Sequence, residues 1–291
     1  MSESSTQSWK AAGQFLDWRG HRVFVRRSGQ GDPVLLIHGF PTASRDWQAL
    51  VSRLESEFSC ISFDLLGFGW SDKPVDFDYS MAAQADLAEA VLAHFGIEAC
   101  RVLAHDYGDT VAQELLARQL EGSPVFAMQQ LCLLNGGLFP EAHSPRLIQK
   151  LLASPLGGLI ARLTRYSRFA ATMNQICKRP LGEVELRSMW ELMEHNNGRA
   201  VLPRLIRYMA ERRRMRSRWV GALERSTVPM RLIDGIDDPI SGTQLVRRYR
   251  ELVPKADVVE LAGVGHYPQL EAVEDVAAAF REFARQIRHS R

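Results

Sequence analysis

The feature that most constrains the fold is residues 99–112, where an apolar run is followed at once by helix-forming residues. The run predicts a short buried strand, and a helix is expected from about Thr110 onward. Between them, small residues stand two positions before and two positions after Asp106, at Ala104 and Gly108. A sharp turn from a strand into a helix brings the two backbones close together and needs small neighbours. Because such a turn lifts one side chain into a cleft, the pattern predicts that Asp106 is presented as a nucleophile.

The remainder of the chain predicts an α/β fold built on a mostly parallel, doubly wound sheet. A hairpin is expected over 14–27 and buried strands over 33–37, 60–64, 100–104, 130–134, 230–234 and 257–261. Helices are expected over 47–54, 81–95 and 273–287. Strands that alternate with helices are typical of a parallel sheet with helices on both faces.

Between residues 137 and 226 the pattern changes to helices alone. We interpret this stretch as a helical lid, or cap, inserted across the carboxyl ends of the strands, where ligands bind in sheets of this type. The predicted units are therefore a first part of the core at 1–136, the lid at 137–226 and a second part of the core at 227–291.

Composition excludes several classes of function. The chain has 291 residues and a formal net charge of +2, too small to indicate a nucleic-acid partner. No apolar stretch reaches the length of about 18 residues needed to span a membrane, and the polar start has no signal-peptide pattern. Four cysteines occur singly and without the spacing of a metal site. These observations predict a cytoplasmic protein with no metal and no integral membrane segment.

Five segments in a fixed order carry a resemblance to a known family. They are His38-Gly39-Phe40-Pro41, the glycine-rich loop 64–74, the turn at Asp106, Asp237-Asp238-Pro239 and Gly265-His266. Together they resemble the α/β-hydrolase fold over nearly the whole chain. An aspartate at the turn resembles the branch of epoxide hydrolases and haloalkane dehalogenases. Within it, segments 105–109, 135–140, 218–223 and 266–270 look closest to the mesoderm-specific transcript proteins, which are grouped with epoxide hydrolases by similarity.

The resemblance implies a catalytic triad. Asp106 is ionised near neutral pH because a carboxyl group has a reference pKa of about 4, so it can attack carbon without an activating base. His266 would then act as the base for water, and an acid would orient its imidazole. Asp238 matches the family position of that acid, and Asp237 beside it is the competitor.

The resemblance also implies an oxyanion hole and a site for the leaving group. The backbone N–H groups of Phe40 and Tyr107 would hold the oxyanion. Tyrosine after the nucleophile, where dehalogenases typically have tryptophan, resembles epoxide hydrolases, in which two lid tyrosines protonate the leaving oxygen. Tyr208 and Tyr166 are the substrate-binding candidates, with His195 as an alternative to Tyr166.

The resulting hypothesis is a cofactor-independent hydrolase that forms an aspartyl ester, most simply an epoxide hydrolase that makes a vicinal diol. One alternative is a haloalkane or haloacid dehalogenase with the same aspartate and histidine. Another is a non-catalytic α/β-hydrolase scaffold that binds a ligand or a partner. The expected partner is a small molecule, an epoxide or a halogenated compound, and a homodimer is left open.

Two further features are open in the sequence. The segment 204–218 contains seven arginines against one acid, Glu211, which indicates a solvated helix face; an anionic membrane surface or an acidic partner is the alternative. Asp109 would either cap the helix after the turn or tune the site.

Overall fold

The structure of the protein is a computed structural model that describes residues 5–122 and 124–288. Within these residues one sheet has eight strands, in the spatial order β1-β2-β4-β3-β5-β6-β7-β8. The strands are β1 Gln14–Trp18, β2 His21–Ser28, β3 Asp32–Ile37, β4 Phe58–Phe63, β5 Ala99–His105, β6 Ala127–Leu134, β7 Met230–Gly235 and β8 Asp257–Leu261. β2 pairs antiparallel with β1 and with β4, and every later pairing is parallel.

Helices cover both faces of the sheet. They are α1 Ser5–Ala11, α2 Gln48–Leu54, α3 Met81–His94, α4 Tyr107–Leu120, α5 Leu147–Leu152, α6 Gly157–Leu163, α7 Tyr166–Ile176, α8 Glu183–Glu194, α9 Leu202–Leu205, α10 Tyr208–Arg214, α11 Arg216–Arg225, α12 Thr243–Leu252, α13 Pro268–Glu271 and α14 Val273–Arg288, with 3-10 helices at Ser44–Trp47 and His195–Ala200. This arrangement confirms the predicted α/β-hydrolase fold.

The central strands are apolar on both sides because each side faces a helical layer. In β3, Leu35 and Ile37 pack with α3 and α4, whereas Val34 and Leu36 pack with α2 and α14. Alternation of side chains along a strand produces these two cores from one continuous apolar run.

The predicted strands and the long helices are confirmed, with boundaries that differ by a few residues. The Ser80 side chain accepts a hydrogen bond from the Ala83 N–H and so caps α3, as expected. The sequence reading missed α1, which Trp9 anchors: its indole ring is buried and lies 4.1 Å from the Arg26 guanidinium. Residues 1–4 of the polar start lie outside the described residues.

Between β6 and β7, the described residues form helices and no strands, from α5 to α11. This segment follows the carboxyl end of β6, at the edge of the sheet where β5 leads into α4. The division into units at 1–136, 137–226 and 227–291 stays a prediction. No helix of the described residues is long and apolar enough to cross a membrane.

Candidate active site

Asp106 occupies a strained turn between β5 and α4. Its backbone angles are φ 48° and ψ −102°, a conformation that residues with a side chain rarely adopt. The predicted need for a small neighbour is met at Gly108, where an added Cβ would lie 2.3 Å from the Ile37 carbonyl oxygen. Gly39 is equally constrained, because a Cβ there would lie 2.6 Å from His105 Nδ1. The turn thus has room for the Asp106 side chain and for little else.

One carboxylate oxygen of Asp106 faces the loop after β3. The Phe40 backbone N–H donates a hydrogen bond to Asp106 Oδ2 at 3.1 Å. Tyr107 is the first residue of α4, so its N–H is one of those that a helix leaves without an intrahelical acceptor. Of the two expected oxyanion donors, the Phe40 N–H contacts the carboxyl group of Asp106, and the Tyr107 N–H stays a prediction.

His266 and Asp238 form a buried pair after β8 and β7. His266 Nδ1 lies 2.7 Å from Asp238 Oδ2. The Asp238 carboxylate also accepts from the Ile240 N–H at 2.8 Å, from the Ser241 hydroxyl at 2.8 Å and from the Asn135 amide at 3.1 Å. These donors fix the carboxylate and stabilise its charge.

Asp237, the competitor for the same role, points away from His266. Its side chain is exposed and accepts a hydrogen bond from the Gly263 N–H at 2.7 Å. The geometry brings His266 together with Asp238.

Opposite charges offset the effect of burial on the pKa values of Asp106, His266 and Asp238. Burial raises the pKa of Asp106, but His266 and Arg212 more than offset it, so the pKa lies below the ordinary value. Burial likewise lowers the pKa of His266, but Asp238 and then Asp106 reverse that effect and raise it. The proton affinity of His266 therefore depends on the charge of both aspartates.

Tyr208, on α10, is a buried tyrosine at this site. Its ring centroid lies 4.9 Å from that of Tyr107 and 6.2 Å from that of Phe40. Its hydroxyl is buried without a hydrogen-bond partner among the described residues. Burial and the charge of Asp106 raise the pKa of this hydroxyl, so it keeps its proton and remains a donor.

Arg212 is the site residue that the sequence reading missed. Although the arginines of 204–218 were interpreted as a solvated face, Arg212 is only 3% exposed. Its Nη2 donates to the Asp106 carbonyl oxygen at 2.8 Å and lies 3.7 Å from Asp106 Oδ1, and its Nε donates to the Thr110 hydroxyl at 2.6 Å. Nη1 is buried without a partner among the described residues, in space that Gly137 leaves free. The one available signal was spacing, since Arg212 follows Tyr208 by four residues and shares its helix face.

The other two lid candidates lie elsewhere. The Tyr166 ring packs against Trp190, with centroids 6.1 Å apart, and beneath the Arg187 guanidinium at 4.7 Å. His195 is half-buried near Lys73 and Lys10, and burial followed by these two charges lowers its pKa. The expectation that Tyr166 or His195 joins Tyr208 at Asp106 is therefore wrong, because packing turns both toward other residues.

Two more buried groups surround the site without hydrogen-bond partners among the described residues. They are the Asp109 carboxyl group and both ring nitrogens of His143. Burial and the charge of Asp106 raise the pKa of Asp109 well above its usual value, so it is held neutral. Burial and the nearby Arg212 lower the pKa of His143 to about 4. The Asp109 carboxyl group makes no capping hydrogen bond among the described residues, and tuning of the site stays a prediction.

A narrow cavity of about 90 Å³ reaches two residues of this site. Phe40 and His266 line it beside the Asp106 turn, and its other walls are mostly apolar side chains such as Phe169, Met173 and Leu202. No cluster of three metal-ligating side chains is present in residues 5–122 and 124–288. The arrangement is suited to a small, mainly apolar substrate with one reactive centre.

With this geometry established, comparison with known proteins defines the class. The family model described as "Alpha/beta hydrolase family" matches residues 34–279, and the chain belongs to this family.

Named relatives define the branch more closely. The chain is 42% identical over 283 residues to LipZ of Mycobacterium tuberculosis, a protein named as a hydrolase, with 96% of this chain and 98% of LipZ covered. It is 40% identical over 279 residues to the mesoderm-specific transcript homolog protein of Homo sapiens, with 91% and 83% covered. Among solved structures, haloalkane dehalogenase DbeA from Bradyrhizobium elkani superposes with a TM-score of 0.82 at 21% identity, with 96% of this chain and 99% of that chain covered. The dehalogenase likeness supports the fold, and the identity of 40% to the human protein confirms the predicted resemblance to mesoderm-specific transcript proteins.

Proposed function

We propose that the protein is an epoxide hydrolase that works through an ester on Asp106. The observation that carries the proposal is the grouping around one carboxylate of an oxyanion donor, a histidine–aspartate pair and two unsatisfied lid donors. Phe40 N–H supplies the first, His266 with Asp238 the second, and Tyr208 with Arg212 the third. Each group answers one requirement of a two-step hydrolysis.

In the first step, Asp106 Oδ1 attacks an epoxide carbon. Oδ1 accepts no hydrogen bond from Phe40, and Arg212 Nη2 lies 3.7 Å from it, beyond hydrogen-bond distance, so this oxygen is available to react. A carbon–oxygen bond forms to Oδ1, the ring carbon–oxygen bond breaks, and the released oxygen takes the proton of the Tyr208 hydroxyl. Negative charge thereby moves from Asp106 to the Tyr208 oxygen, next to the Arg212 guanidinium, whose carbon lies 4.3 Å from the tyrosine ring centroid. In this mechanism Arg212 is the second donor beside Tyr208, in place of the candidates Tyr166 and His195 from the sequence analysis.

In the second step, water hydrolyses the ester. Asp238 and, to a smaller extent, Asp106 raise the pKa of His266, so loss of the Asp106 charge in the ester lowers that pKa and favours the neutral imidazole that acts as the base. His266 takes a proton from water, the hydroxide adds to the ester carbon, and Phe40 and Tyr107 N–H groups stabilise the oxyanion. Collapse expels the alkoxide oxygen, which takes the proton from the His266 imidazolium, so the diol is released and His266 is neutral again. The proton of the new carboxyl group returns to the Tyr208 oxygen, which restores the starting state.

The nature of the lid donors favours an oxygen leaving group over a halide. An oxygen anion needs a proton, which Tyr208 can donate, whereas a halide leaves without one. One tryptophan of the helical segment is not available to hold a halide, because Trp219 Nε1 donates a hydrogen bond to Glu114 on α4 at 2.8 Å. A dehalogenase is the second candidate, because the free Nη1 of Arg212 could hold a halide ion.

The test is the intact mass of a His266→Gln variant treated in parallel with 1,2-epoxyhexane and 1-bromohexane. Removal of the base should leave attack intact and stall hydrolysis, so an adduct accumulates. A gain equal to the whole epoxide, absent when Asp106→Asn is added, is the expected result. A gain only from the bromide, equal to its alkyl group, would instead identify a dehalogenase.

One further variant and the unmodified enzyme separate the remaining hypotheses. Adding Tyr208→Phe should slow the epoxide adduct by about 10²-fold, the usual scale for one lost donor, and leave the bromide adduct within a few-fold. An enzyme with both His266 and Asp106 intact that neither turns over nor is labelled by any epoxide or haloalkane would favour the non-catalytic scaffold.

A further inference from the structure

Five leucines within one stretch of the helical segment, residues 147–163, are exposed. They are Leu147, Leu151, Leu156, Leu159 and Leu163, on or beside α5 and α6, and we call them the leucine face. Leu147 keeps 72% of its surface exposed and Leu163 keeps 65%. Exposed leucines clustered in this way are unusual on a protein surface and mark a site of interaction with an apolar partner.

The chain around the leucine face carries only positive charge. Residues 142–182 contain seven lysines and arginines and no aspartate or glutamate. Lys150, Arg162, Arg165 and Arg168 are exposed. Acids at the two ends of this stretch are already paired, Glu141 with Arg216 and Glu183 with Arg187. The face is therefore apolar at its centre, basic at its rim and without acidic groups of its own.

The leucine face is continuous with the cavity of the candidate site. Ile148 and Arg168 line that cavity and also line the surface groove that Leu151 and Leu163 border. A molecule held against the leucines has a short apolar route past Ile148 toward His266.

We propose that the leucine face docks onto the surface of an anionic lipid bilayer and that the cavity takes its apolar substrate from there. The leucines enter the boundary between headgroups and acyl chains, and the cations bind anionic headgroups. Charge complementarity selects this occupant, because a second copy of the chain would oppose the same basic rim to itself. The proposal concerns binding and holds whatever reaction Asp106 performs.

Vesicle co-sedimentation of the full chain tests the apolar part of the contact. The protein is expected to bind vesicles that contain phosphatidylserine and to bind pure phosphatidylcholine vesicles at least tenfold more weakly. A triple variant, Leu156→Ser with Leu159→Ser and Leu163→Ser, should lose at least tenfold in affinity. The control Leu120→Ser with Val125→Ser removes exposed apolar groups between α4 and β6, at the opposite edge of the sheet, and should bind normally. All five side chains are exposed, so circular dichroism should show the wild-type fold.

A second triple variant tests the charged part. Lys150→Gln with Arg162→Gln and Arg165→Gln should also lose at least tenfold, as should the wild-type protein at about 1 M salt, where the Debye length is about 3 Å. The control Arg247→Gln with Lys255→Gln removes exposed cations on and just after α12, outside the helical segment 137–226, and should have little effect on vesicle binding.

Three results would overturn the proposal. They are no binding to anionic vesicles at low salt, binding that both triple variants retain, and a dimer that the leucine variant dissociates in the absence of vesicle binding. Each can be read without substrate, so failure of the docking proposal is distinct from failure of the proposed reaction.

Discussion

The Asp238→Asn substitution tests how the histidine is used. The carboxylate of Asp238 lies 2.7 Å from His266 Nδ1 and accepts further hydrogen bonds from Ile240, Ser241 and Asn135. An asparagine fits the same space and keeps acceptors for part of this network, but it removes the negative charge. The substitution should therefore act on the chemistry of His266 more than on folding.

The size of the expected loss in hydrolysis rate follows from the distance between His266 and Asp238. At 2.7 Å and an effective dielectric constant of about 20, Coulomb's law gives about 6 kcal/mol between the imidazolium and the carboxylate. The imidazolium forms only when His266 takes the proton of water, so this energy stabilises the hydrolysis step. We expect ester hydrolysis to slow by about 10³- to 10⁴-fold, which corresponds to about 4 to 5 kcal/mol. Formation of the ester needs no base, so it should change by less than about tenfold.

The assay follows the ester by quenched-flow and intact mass during a single turnover. Asp238→Asn should accumulate an adduct that the wild type does not. In the pH profile of the rate of ester hydrolysis, the acid-side inflection should move to lower pH, because loss of the Asp238 charge lowers the pKa of His266. Asp237→Asn is the matched control, exposed and bonded to Gly263, and should behave like the wild type. Equal slowing of both steps, or an adduct that decays at the wild-type rate, would refute the reasoning.

Three other perturbations have defined outcomes. Arg212→Gln should slow epoxide opening by about 10²-fold in single-turnover assays, against no change for the exposed Arg214→Gln, and equal slowing of both variants would contradict the donor role. The free energy of unfolding in urea of Asp109→Asn, relative to that of the wild type, should be higher at pH 8 than at pH 4 by at least about 1.4 kcal/mol. The reason is that a raised native pKa of Asp109 makes the wild type lose stability as pH rises. An equal difference at both pH values would refute a neutral Asp109. Gly108→Ala should lower the free energy of unfolding by about 2 kcal/mol or more, since its Cβ would meet the Ile37 oxygen at 2.3 Å, and wild-type stability would show that the turn is less tightly packed.

The sequence predicted the parts of the fold that depend on local pattern. Apolar runs such as that of β3 are typical of strands buried on both faces, and the small residue at Gly108 is required by the turn itself. Asp238 could be preferred over Asp237 by its place before Pro239, but only the three-dimensional structure shows that the side chain of Asp238 alone faces His266.

What the sequence did not predict depends on contacts between distant residues. Arg212 reads as one arginine among seven, and only its bonds to Asp106 and Thr110, about a hundred residues earlier, distinguish it. The prediction for Tyr166 is wrong because its ring packs against Trp190 and Arg187 on α8, and the sequence does not show these contacts. Periodicity states which face of a helix a residue occupies but does not state what that face meets.

The most direct test of the aspartyl-ester mechanism is a single turnover in H₂¹⁸O with the protein in excess over an epoxide that it hydrolyses. If Asp106 attacks carbon, the new hydroxyl oxygen of the first diol comes from Asp106, so the diol is unlabelled and ¹⁸O is found in the peptide that contains Asp106. If ¹⁸O is found in the diol and none in the protein, water attacks the epoxide directly and the ester on Asp106 does not form.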